Sequence, residues 1–300
     1  MVDIVVLNYN DAKQTIEYLK SIQCYKNIEH VVVVDNNSTD KSYYELIKYE
    51  NEKIKIIQSG NNGGYGFGNN CGIKYLVKNY NSKYLAITNP DVKYKESCLT
   101  ACEEFLKSNK EYVIVAPRMK NIKGEIVNNA AWMIPTWKEY AFFSLIFLGR
   151  LYKLNYTKLY KKNQYLDIDC VAGSMLVINT EAFLRIGMFD ERTFLYCEEV
   201  IIGIKAKRSG YKTALLIRYN FTHMHSVSID KAIRNKINQL EIMWDSRIYT
   251  LKKYYKINKI QVLIVQFARI ASLVEVWFTI RIYRKIFHEK NKINYVNIEQ

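Results

Sequence analysis

Polar side chains follow three short apolar runs of this sequence, at the points where buried strands would end. Asn8, Asp35 and Asp91 each stand directly after such a run or within three residues of it. Pro90 has no N–H to donate, so regular strand pairing is expected to stop just before Asp91. Ligands of open α/β sheets bind beyond the carboxyl ends of the strands. Asp91 is therefore a candidate ligand for a divalent metal that carries phosphates, the alternative being a simple turn aspartate.

Two adjacent carboxylates, Glu198 and Glu199, open a predicted helix that runs to residue 209. The apolar residues 194–196 precede them. A carboxylate that is partly desolvated and lies beside a like charge has a raised pKa, as a general base requires. The alternative is that both residues only stabilise the positive end of the helix dipole.

Two of the four histidines, His223 and His225, are separated by one residue after the last predicted strand. On an extended segment both imidazoles point to the same side. Together with Asp91 they are candidate ligands of a metal or a diphosphate.

A glycine-rich segment covers residues 60–72 and is predicted to be a loop that leads into a helix over 73–79. Glycine permits positive φ angles and close approach of the backbone to a ligand, and helix N-termini attract phosphates. The segment is not a dinucleotide fingerprint, because Cys71 stands where the third glycine belongs, and it lacks the Gly-Lys of a Walker loop. The alternative is a flexible turn.

Alternating strands and helices position these residues. Runs of β-branched and apolar residues predict strands, and apolar residues at helical spacing predict helices between them. The alternation implies an α/β fold with a parallel sheet and right-handed crossovers, which brings Asn8, Asp35 and Asp91 to one edge. Strands are expected at 2–7, 31–34, 54–57, 84–88, 113–116, 175–178 and 213–217, and helices at 12–22, 43–49, 97–108 and 180–186.

Composition narrows the class of protein. The chain has 300 residues and a net charge of +15, which is long enough for one large domain with an appendage and indicates an anionic partner. The six cysteines include no Cys-x-x-Cys pair, so neither zinc nor a disulfide framework is expected, and reduced cytosolic thiols are the default. No signal peptide is predicted, because no basic region precedes the first apolar run.

Two regions could meet a membrane. Residues 128–165 combine aromatic with basic side chains, including Tyr152, Tyr156 and Tyr160, and suit either a membrane interface or ordinary core packing. Residues 251–300 contain ten Lys and Arg against three Glu. Charged residues interrupt the apolar run 260–286, so an uninterrupted membrane span is not expected. We expect an amphipathic helical hairpin that lies on anionic lipid. The alternative is a helix packed on the catalytic domain.

The motifs, taken together, resemble the family 2 glycosyltransferases, in particular their bacterial rhamnosyltransferase-like branch. The resemblance extends over about residues 2–230. It is carried by Val-Val-Leu-Asn-Tyr-Asn at 5–10, Val-Val-Asp-Asn-Asn-Ser-Thr-Asp at 33–40, Asn-Asn-Gly-Gly-Tyr-Gly-Phe-Gly-Asn-Asn at 61–70, Asn-Pro-Asp-Val at 89–92, Ala-Gly-Ser at 172–174, Phe-Leu-Tyr-Cys-Glu-Glu at 194–199 and His-Met-His-Ser-Val-Ser at 223–228.

The resemblance implies a GT-A fold over residues 1–230, with a nucleotide-sugar half at 1–117 and an acceptor half at 118–230, followed by a basic helical tail at 231–300. It implies that Asp35 reads the base, and that the donor is also bound by Asn8, Asn10, Asn37, Gly64, Asn70, Asn89 and Asp91. The acceptor is expected to meet Gly173, Ser174 and Tyr196, and the metal Asp91 with His223 or His225. Glu199 falls on the position of the catalytic base, with Glu198 as the alternative.

This chain departs from the family pattern at three places. Asn89 replaces the first Asp of the metal-binding Asp-x-Asp, and Ile201 and Lys205 stand where the branch carries Asp and Arg. The first departure leaves a weaker metal site, and the other two indicate different donor or acceptor contacts.

The function implied by the resemblance is an inverting, metal-dependent hexosyl transfer in the synthesis of a bacterial surface polysaccharide such as a capsule. The donor would be dTDP-rhamnose or a UDP-hexose, the acceptor a glycan or a lipid-linked sugar, and the cofactor Mg²⁺ or Mn²⁺. The protein is expected to be cytoplasmic and bound peripherally to the inner face of the plasma membrane. It is not expected to bind nucleic acid, and both a monomer and a homodimer are compatible with the sequence. The alternative is an inert nucleotide-binding or membrane-surface interaction protein.

Overall fold

The computed structural model describes residues 1–143, 145, 149, 164–224 and 236–296, and it separates into two units. The first unit comprises Met1–Ile134 and Leu154–Arg234, and the second comprises Pro135–Lys153 and Asn235–Gln300. His225 and the three tyrosines at 152, 156 and 160 lie outside the described residues, so the predictions made for them are not addressed.

The elements of the first unit follow the predicted α/β alternation. Its strands are β1 Val2–Asn8, β2 Ile28–Asp35, β3 Ile54–Gln58, β4 Tyr84–Thr88, β5 Val92–Tyr94, β6 Tyr112–Lys120, β7 Ala131–Trp132, β8 Tyr165–Ile168, β9 Cys170–Val171, β10 Met175–Asn179 and β11 Lys212–His223. Its helices are α1 Ala12–Ile22, α2 Ser42–Leu46, α3 Gly64–Tyr80, α4 Glu96–Ser108, α6 Thr180–Arg185 and α7 Glu198–Arg208. The second unit contributes α5 Trp137–Phe142, α8 Lys236–Lys253 and α9 Lys259–Val296.

A nine-stranded sheet runs through the first unit in the order β3-β2-β1-β4-β10-β6-β11-β5, with β8 also paired to β11. The strands β3, β2, β1 and β4 are parallel, as predicted, and Asn8 and Asp35 are register partners at their ends. The sheet becomes mixed at β10, which is antiparallel to both β4 and β6. This parallel half therefore gathers the strand-end polar residues at one edge, where ligands of such sheets bind.

Both faces of the sheet are covered, which explains the continuous apolar runs in its strands. Alternate residues of β1 enter opposite cores: Ile4 and Val6 pack in the core that includes Leu19 of α1, and Val5 packs in the core that includes Ile73 of α3. The two cores therefore hold β1 and β4 in place, which also fixes the positions of the site residues at their carboxyl ends.

The glycine-rich segment is helical where a loop was predicted. Helix α3 begins at Gly64 and not near residue 73, and it contains three further glycines. A Cβ added to Gly68 would lie 2.3 Å from Leu7 Cδ1, and one added to Gly72 would lie 2.5 Å from Val5 Cγ1. The glycines thus let the helix backbone lie close against β1, and this packing overrides their poor helix propensity.

Strand β2 begins earlier than predicted, and β6 and β11 extend well beyond their predicted ends. Strand β6 continues through Pro117, because its register with β11 shifts between Leu216 and Asn220, and a bulge tolerates a missing N–H. Strand β11 extends to His223 and pairs that residue with Val92 of β5. The extension brings His223 to the strand-end edge as part of the sheet.

The helical tail predicted from the sequence is present in the second unit as α8 and α9. The indole Nε1 of Trp244 donates to Ser272 Oγ over 2.6 Å, and Arg269 Nη1 lies 2.9 Å from Asp245 Oδ1, so the two helices are packed together. By length and composition Lys259–Thr279 could cross a membrane, with 21 residues and a mean hydropathy of 1.6. Length and composition therefore leave a span possible, and the amphipathic arrangement on a lipid surface stays a prediction.

Candidate active site

The ends of β1 and β2 are joined by their predicted site residues. Asp35 is fully buried, and its carboxylate accepts hydrogen bonds from Asn8 Nδ2 over 2.9 Å and from Ser38 N and Oγ over 3.0 and 2.7 Å. Asn8 Oδ1 accepts in turn from Thr15 Oγ1 over 2.8 Å. The pair thus fixes the loop after β2, and direct contact of Asp35 with a nucleotide base stays a prediction.

Asn10 and Asn37 shape the rim of this edge. Both have left-handed backbones, with φ values of 52° and 59°, a conformation that asparagine adopts more readily than most residues. Asn10 Oδ1 accepts from Thr39 N over 2.8 Å, and Asn37 is exposed. The two residues therefore border the open side of the edge, where the predicted contacts with a donor would be made.

The start of α3 is a docking site for the loop at 189–194. Gly64 has a φ of +90°, and a Cβ there would lie 1.9 Å from the carbonyl oxygen of Phe194, which accepts from Tyr65 N over 2.9 Å. Asn70 is buried and donates to Phe189 O over 3.1 Å and to Glu191 Oε1 over 2.9 Å. Gly64 and Asn70 hold the loop that leads to Glu198 and Glu199, and their contact with the donor stays a prediction.

Asp91 and His223 meet at the carboxyl edge of the sheet. The Nε2 atom of His223 lies 3.2 Å from Asp91 Oδ1, and the backbone N–H of Met224 donates to Asp91 O over 2.9 Å. Asp91 is buried, with 3% of its surface exposed. Within the described residues its Oδ1 accepts no hydrogen bond, so the short distance to His223 is a contact between the two groups and not a hydrogen bond. An orphaned buried carboxylate oxygen calls for a further partner.

These two side chains suit a divalent cation. A carboxylate oxygen and an imidazole nitrogen are ligands for Mg²⁺ or Mn²⁺, and such ions are commonly held by one or two protein groups plus the phosphates of a substrate. Among the described residues, no group of three His, Cys, Asp or Glu side chains could hold a metal without help. Asp91 and His223 therefore fit a cation whose coordination a diphosphate completes, and Asn89 lies two residues before Asp91 in the sequence.

Helix α7 presents Glu198 and Glu199 after a strained turn. Tyr196 and Cys197 have φ values of 71° and 75°, two consecutive left-handed residues that are not glycine. Such backbones are costly and concentrate at functional sites. Glu198 is buried and its Oε1 has no hydrogen-bond partner in the described part of the chain, whereas Glu199 is half-buried and its Oε1 accepts from Gly173 N over 3.2 Å.

The surroundings of the two carboxyl groups raise their pKa values to different extents. Burial, followed by the nearby charge of Glu199, raises the pKa of Glu198 well above its usual range. Burial also raises the pKa of Glu199, and hydrogen bonds from its own backbone N–H and that of Gly173 oppose the rise. Glu198 is the more buried of the two, and its Oε1 has no hydrogen-bond partner among the described residues, so it is the better position for a shared proton and Glu199 is the better base.

The turn at Gly173 and Ser174 connects the two halves of the site. Gly173 O accepts from the hydroxyl of Tyr65 over 2.6 Å, and Ser174 O accepts from Asn89 N over 2.9 Å. Ser174 Oγ is buried without a hydrogen-bond partner among the described residues. The turn therefore links the metal-binding edge to the carboxylates of α7.

Tyr65 was not predicted as a site residue. Its ring packs edge-on against Phe189 with the centroids 5.6 Å apart, and it lines a small cavity with Gly173, Glu198 and Glu199. The one signal in the sequence is an aromatic residue placed among glycines, which gives no direction for its hydroxyl. Tyr196 is half-buried beside the same carboxylates in sequence.

Comparison with protein families matches Glycosyl transferase family 2 over residues 3–187, which is more than half of the chain. A low-salt glycan biosynthesis hexosyltransferase of Haloferax volcanii is 28% identical over 208 residues, covering 69% of this chain and 62% of that protein. An N-acetylglucosaminyl-diphospho-decaprenol L-rhamnosyltransferase of Mycobacterium tuberculosis is 23% identical over 245 residues, covering 76% and 78%. The chain thus spans less than two thirds of the first of these relatives.

A crystal structure of GalNAc-T7 with UDP, GalNAc and Mn²⁺ superposes on 84% of this chain and 50% of that protein, with a TM-score of 0.58 and 14% sequence identity. At this identity the likeness shows the fold alone. The predicted GT-A-like α/β fold with a C-terminal helical tail is confirmed, and the last helix of that tail carries a long apolar stretch.

Proposed function

The chain belongs to Glycosyl transferase family 2, and on that premise we propose that it transfers a hexose from a nucleotide-diphosphate donor to a glycan acceptor with inversion. One observation carries the proposal. The Gly173–Ser174 turn accepts from Asn89 at the edge that bears Asp91 and donates to Glu199. A candidate phosphate-binding edge and a candidate base are thus held on either side of the same turn, as a single displacement between donor and acceptor needs.

Glu199 is the proposed general base. The acceptor hydroxyl gives its proton to the Glu199 carboxylate as its oxygen bonds to the anomeric carbon. The bond from that carbon to the diphosphate oxygen breaks, and its electron pair leaves with the nucleotide diphosphate. Attack from the face opposite the nucleotide inverts the configuration without a covalent sugar–enzyme intermediate. The proton held by Glu198 keeps a second negative charge away from Glu199.

The donor is proposed to lie along the carboxyl edge of the sheet. Asp91 and His223 would hold Mg²⁺ or Mn²⁺ there, and the ion would neutralise the charge that develops on the diphosphate leaving group. GalNAc-T7, a protein of similar fold, was crystallised with UDP and Mn²⁺, which supports this choice of ions. The nucleoside would lie toward the rim at Asn10 and Asn37, above the buried pair of Asn8 and Asp35. Gly173, Ser174 and Tyr196 would border the acceptor.

The sugar and the acceptor are proposed from the relatives. Their names specify a hexosyltransferase and an L-rhamnosyltransferase, which supports rhamnose or a similar hexose as the sugar. The proposed carrier of this sugar is dTDP or UDP. The mycobacterial relative is named for a diphospho-decaprenol acceptor, which supports a lipid-linked acceptor. The proposed product is a surface polysaccharide such as a capsule. A lipid-linked acceptor would in turn place the enzyme on the inner face of the plasma membrane, with its basic tail toward anionic lipid.

A donor and acceptor panel tests this function. The chain would be incubated with Mn²⁺, dTDP-rhamnose, UDP-hexoses or GDP-mannose, and a prenyl-diphosphate-linked N-acetylglucosamine, with the glycolipid product measured by mass spectrometry. One donor should yield product with inverted configuration, and the Glu199→Gln variant should yield little. Nucleotide binding without turnover for every pair would favour the alternative of an inert nucleotide-binding protein.

A further inference from the structure

The outer face of helix α9 is apolar and exposed. Its large side chains recur at intervals of three and four residues and are each 38–71% exposed. At 1.5 Å per residue they form a stripe of about 27 Å along one side of the helix. We define this outer face by Ile260, Leu263, Ile264, Phe267, Ile270, Val274, Trp277 and Phe278. A soluble helix normally turns such a stripe toward its core, and a contiguous exposed patch of this size marks an interaction surface.

The opposite face of α9 is already occupied, so the helix cannot rotate its apolar stripe inward. Val265, Ala268 and Ser272 are buried on that side. Ser272 accepts from the indole of Trp244, and Arg269 is paired with Asp245 of α8. These contacts fix the outer face in an outward direction.

Pairing with α8 also determines how α9 could meet a membrane. Residues Lys259–Thr279 are long and apolar enough to cross a bilayer, but Arg269 lies at the middle of that stretch. A span would place the Arg269–Asp245 pair and the polar helix α8 at the centre of the hydrocarbon, where charged groups are most costly. An orientation parallel to the surface leaves α8 and the ion pair on the water side, and only the outer face enters lipid.

Charged and aromatic residues at both ends of the stripe suit an anionic surface. Four exposed lysines lie around its amino-terminal end, at positions 252, 253, 256 and 259. At the other end the exposed Arg281 guanidinium lies 4.9 Å from the ring centre of Trp277. Lysine and arginine attract anionic headgroups, and tryptophan prefers the level of the headgroups.

We propose that the outer face of α9 inserts in the plane of one leaflet of an anionic bilayer, as a monotopic anchor. This deepens the membrane attachment included in the proposed function, and it replaces a purely electrostatic contact by one that also buries apolar side chains. Such attachment resists salt, because screening weakens charge attraction and leaves apolar burial intact.

Flotation with vesicles tests the insertion. The full chain would be mixed with phosphatidylcholine vesicles containing phosphatidylglycerol, in 0.1 M and about 1 M NaCl, where the Debye length falls to about 3 Å. Wild type should float in both. The variant Leu263→Asp/Phe267→Asp should partition at least about tenfold less, since two side chains lose their apolar burial.

A matched variant controls for the change in charge and exposure. Tyr44→Asp/Ile122→Asp replaces two side chains of the first unit whose exposures, 70% and 64%, are close to the 70% and 71% of Leu263 and Phe267. It should float like wild type, and both variants should melt cooperatively. If wild type leaves the vesicles at high salt, or if both double variants bind equally, insertion of this face is wrong.

Depth measurements distinguish insertion in the plane from a span. Tryptophan fluorescence would be quenched with lipids brominated at different depths, comparing Trp277 with Phe267→Trp in a Trp277→Phe background. In-plane insertion predicts the same shallow depth for both positions, whereas a much deeper site at 267 would show a span.

If the lipid-free chain is a dimer that Leu263→Asp/Phe267→Asp dissociates, and if the chain does not bind vesicles, the outer face binds a second copy of the chain instead. No sugar nucleotide is present, so a failure of glycosyl transfer would not alter these results.

Discussion

The backbone N–H of Gly173 donates to Oε1 of Glu199 over 3.2 Å, and this bond selects between two adjacent glutamates. A hydrogen bond to a carboxylate favours its ionised form, and Glu199 receives one from Gly173. Glu198 is buried, and its Oε1 has no hydrogen-bond partner within the described chain. Both pKa values are raised by burial, and that of Glu198 is raised the more strongly. The same turn accepts from Asn89, so the orientation of the base is tied to the edge proposed for the donor.

Replacing the proposed base should separate the two glutamates kinetically. Glu199→Gln is expected to lower kcat about a hundredfold or more with donor affinity little changed, because a general base typically contributes 10²–10⁴. Glu198→Gln should be milder. Steady-state kinetics with the donor identified by the panel would measure both, and the opposite order would transfer the catalytic role to Glu198.

The buried carboxyl of Glu198 should make stability depend on pH. Its pKa is raised in the folded protein, so above pH of about 4.3 the unfolded chain releases a proton that the folded chain retains. The free energy of unfolding should therefore fall as the pH rises, until Glu198 also ionises in the folded state. Glu198→Gln should flatten this part of the profile and stabilise the protein at neutral pH. Urea denaturation between pH 4.5 and 8 measures it, and an unchanged slope would contradict the assignment.

Removal of the Asp91 carboxylate should abolish transfer and metal-dependent nucleotide binding while the fold survives. Asp91→Ala deletes the buried carboxylate oxygen that the proposed cation would use. Titration calorimetry with UDP or dTDP, with and without Mn²⁺, would show the loss. Asp40→Ala, which changes an exposed aspartate in the loop after β2, is the control and should bind normally. Unchanged Mn²⁺-dependent binding by Asp91→Ala would show that the metal site lies elsewhere.

Tyr65 should act on catalysis through the Gly173 turn. Tyr65→Phe removes the hydroxyl that donates to Gly173 O over 2.6 Å, at a cost to stability of about 1 kcal/mol. We expect kcat to fall more than donor affinity, because the turn orients Glu199. Tyr75→Phe in the same helix, whose ring lies against Tyr80, is the control. Equal kcat values for the two variants would reduce Tyr65 to a packing residue.

Gly64 should tolerate no side chain. Gly64→Ala combines a left-handed backbone with a Cβ only 1.9 Å from Phe194 O, and should destabilise the fold by about 3 kcal/mol or more. Gly60→Ala has nearly the same φ, +85°, with nothing within 4 Å of the added Cβ, and isolates the backbone cost of about 1–2 kcal/mol. Chemical denaturation compares them. Similar losses would mean that the loop at 189–194 moves away without cost.

The sequence by itself determined the parallel half of the sheet and the position of its polar residues. Short apolar runs that are rich in β-branched residues and bounded by turn residues indicate buried strands, and this signal is local in the sequence. Because parallel strands end at one edge, Asn8 and Asp35 had to meet there, and the structure joins them directly. The helical nature of the tail followed in the same way from apolar spacing.

Only the tertiary structure decided what depends on contacts between distant residues. Because glycine is a poor helix former, the glycines of α3 predict a loop. They are helical because β1 packs so closely against the helix that a Cβ at Gly68 or Gly72 would clash with it. The contact between Asp91 and His223 depends on an extended β11 pairing with β5, across more than 130 residues. Burial, which distinguishes Glu198 from Glu199, and the outward direction of the apolar stripe on α9 are likewise properties of packing, which local sequence does not encode.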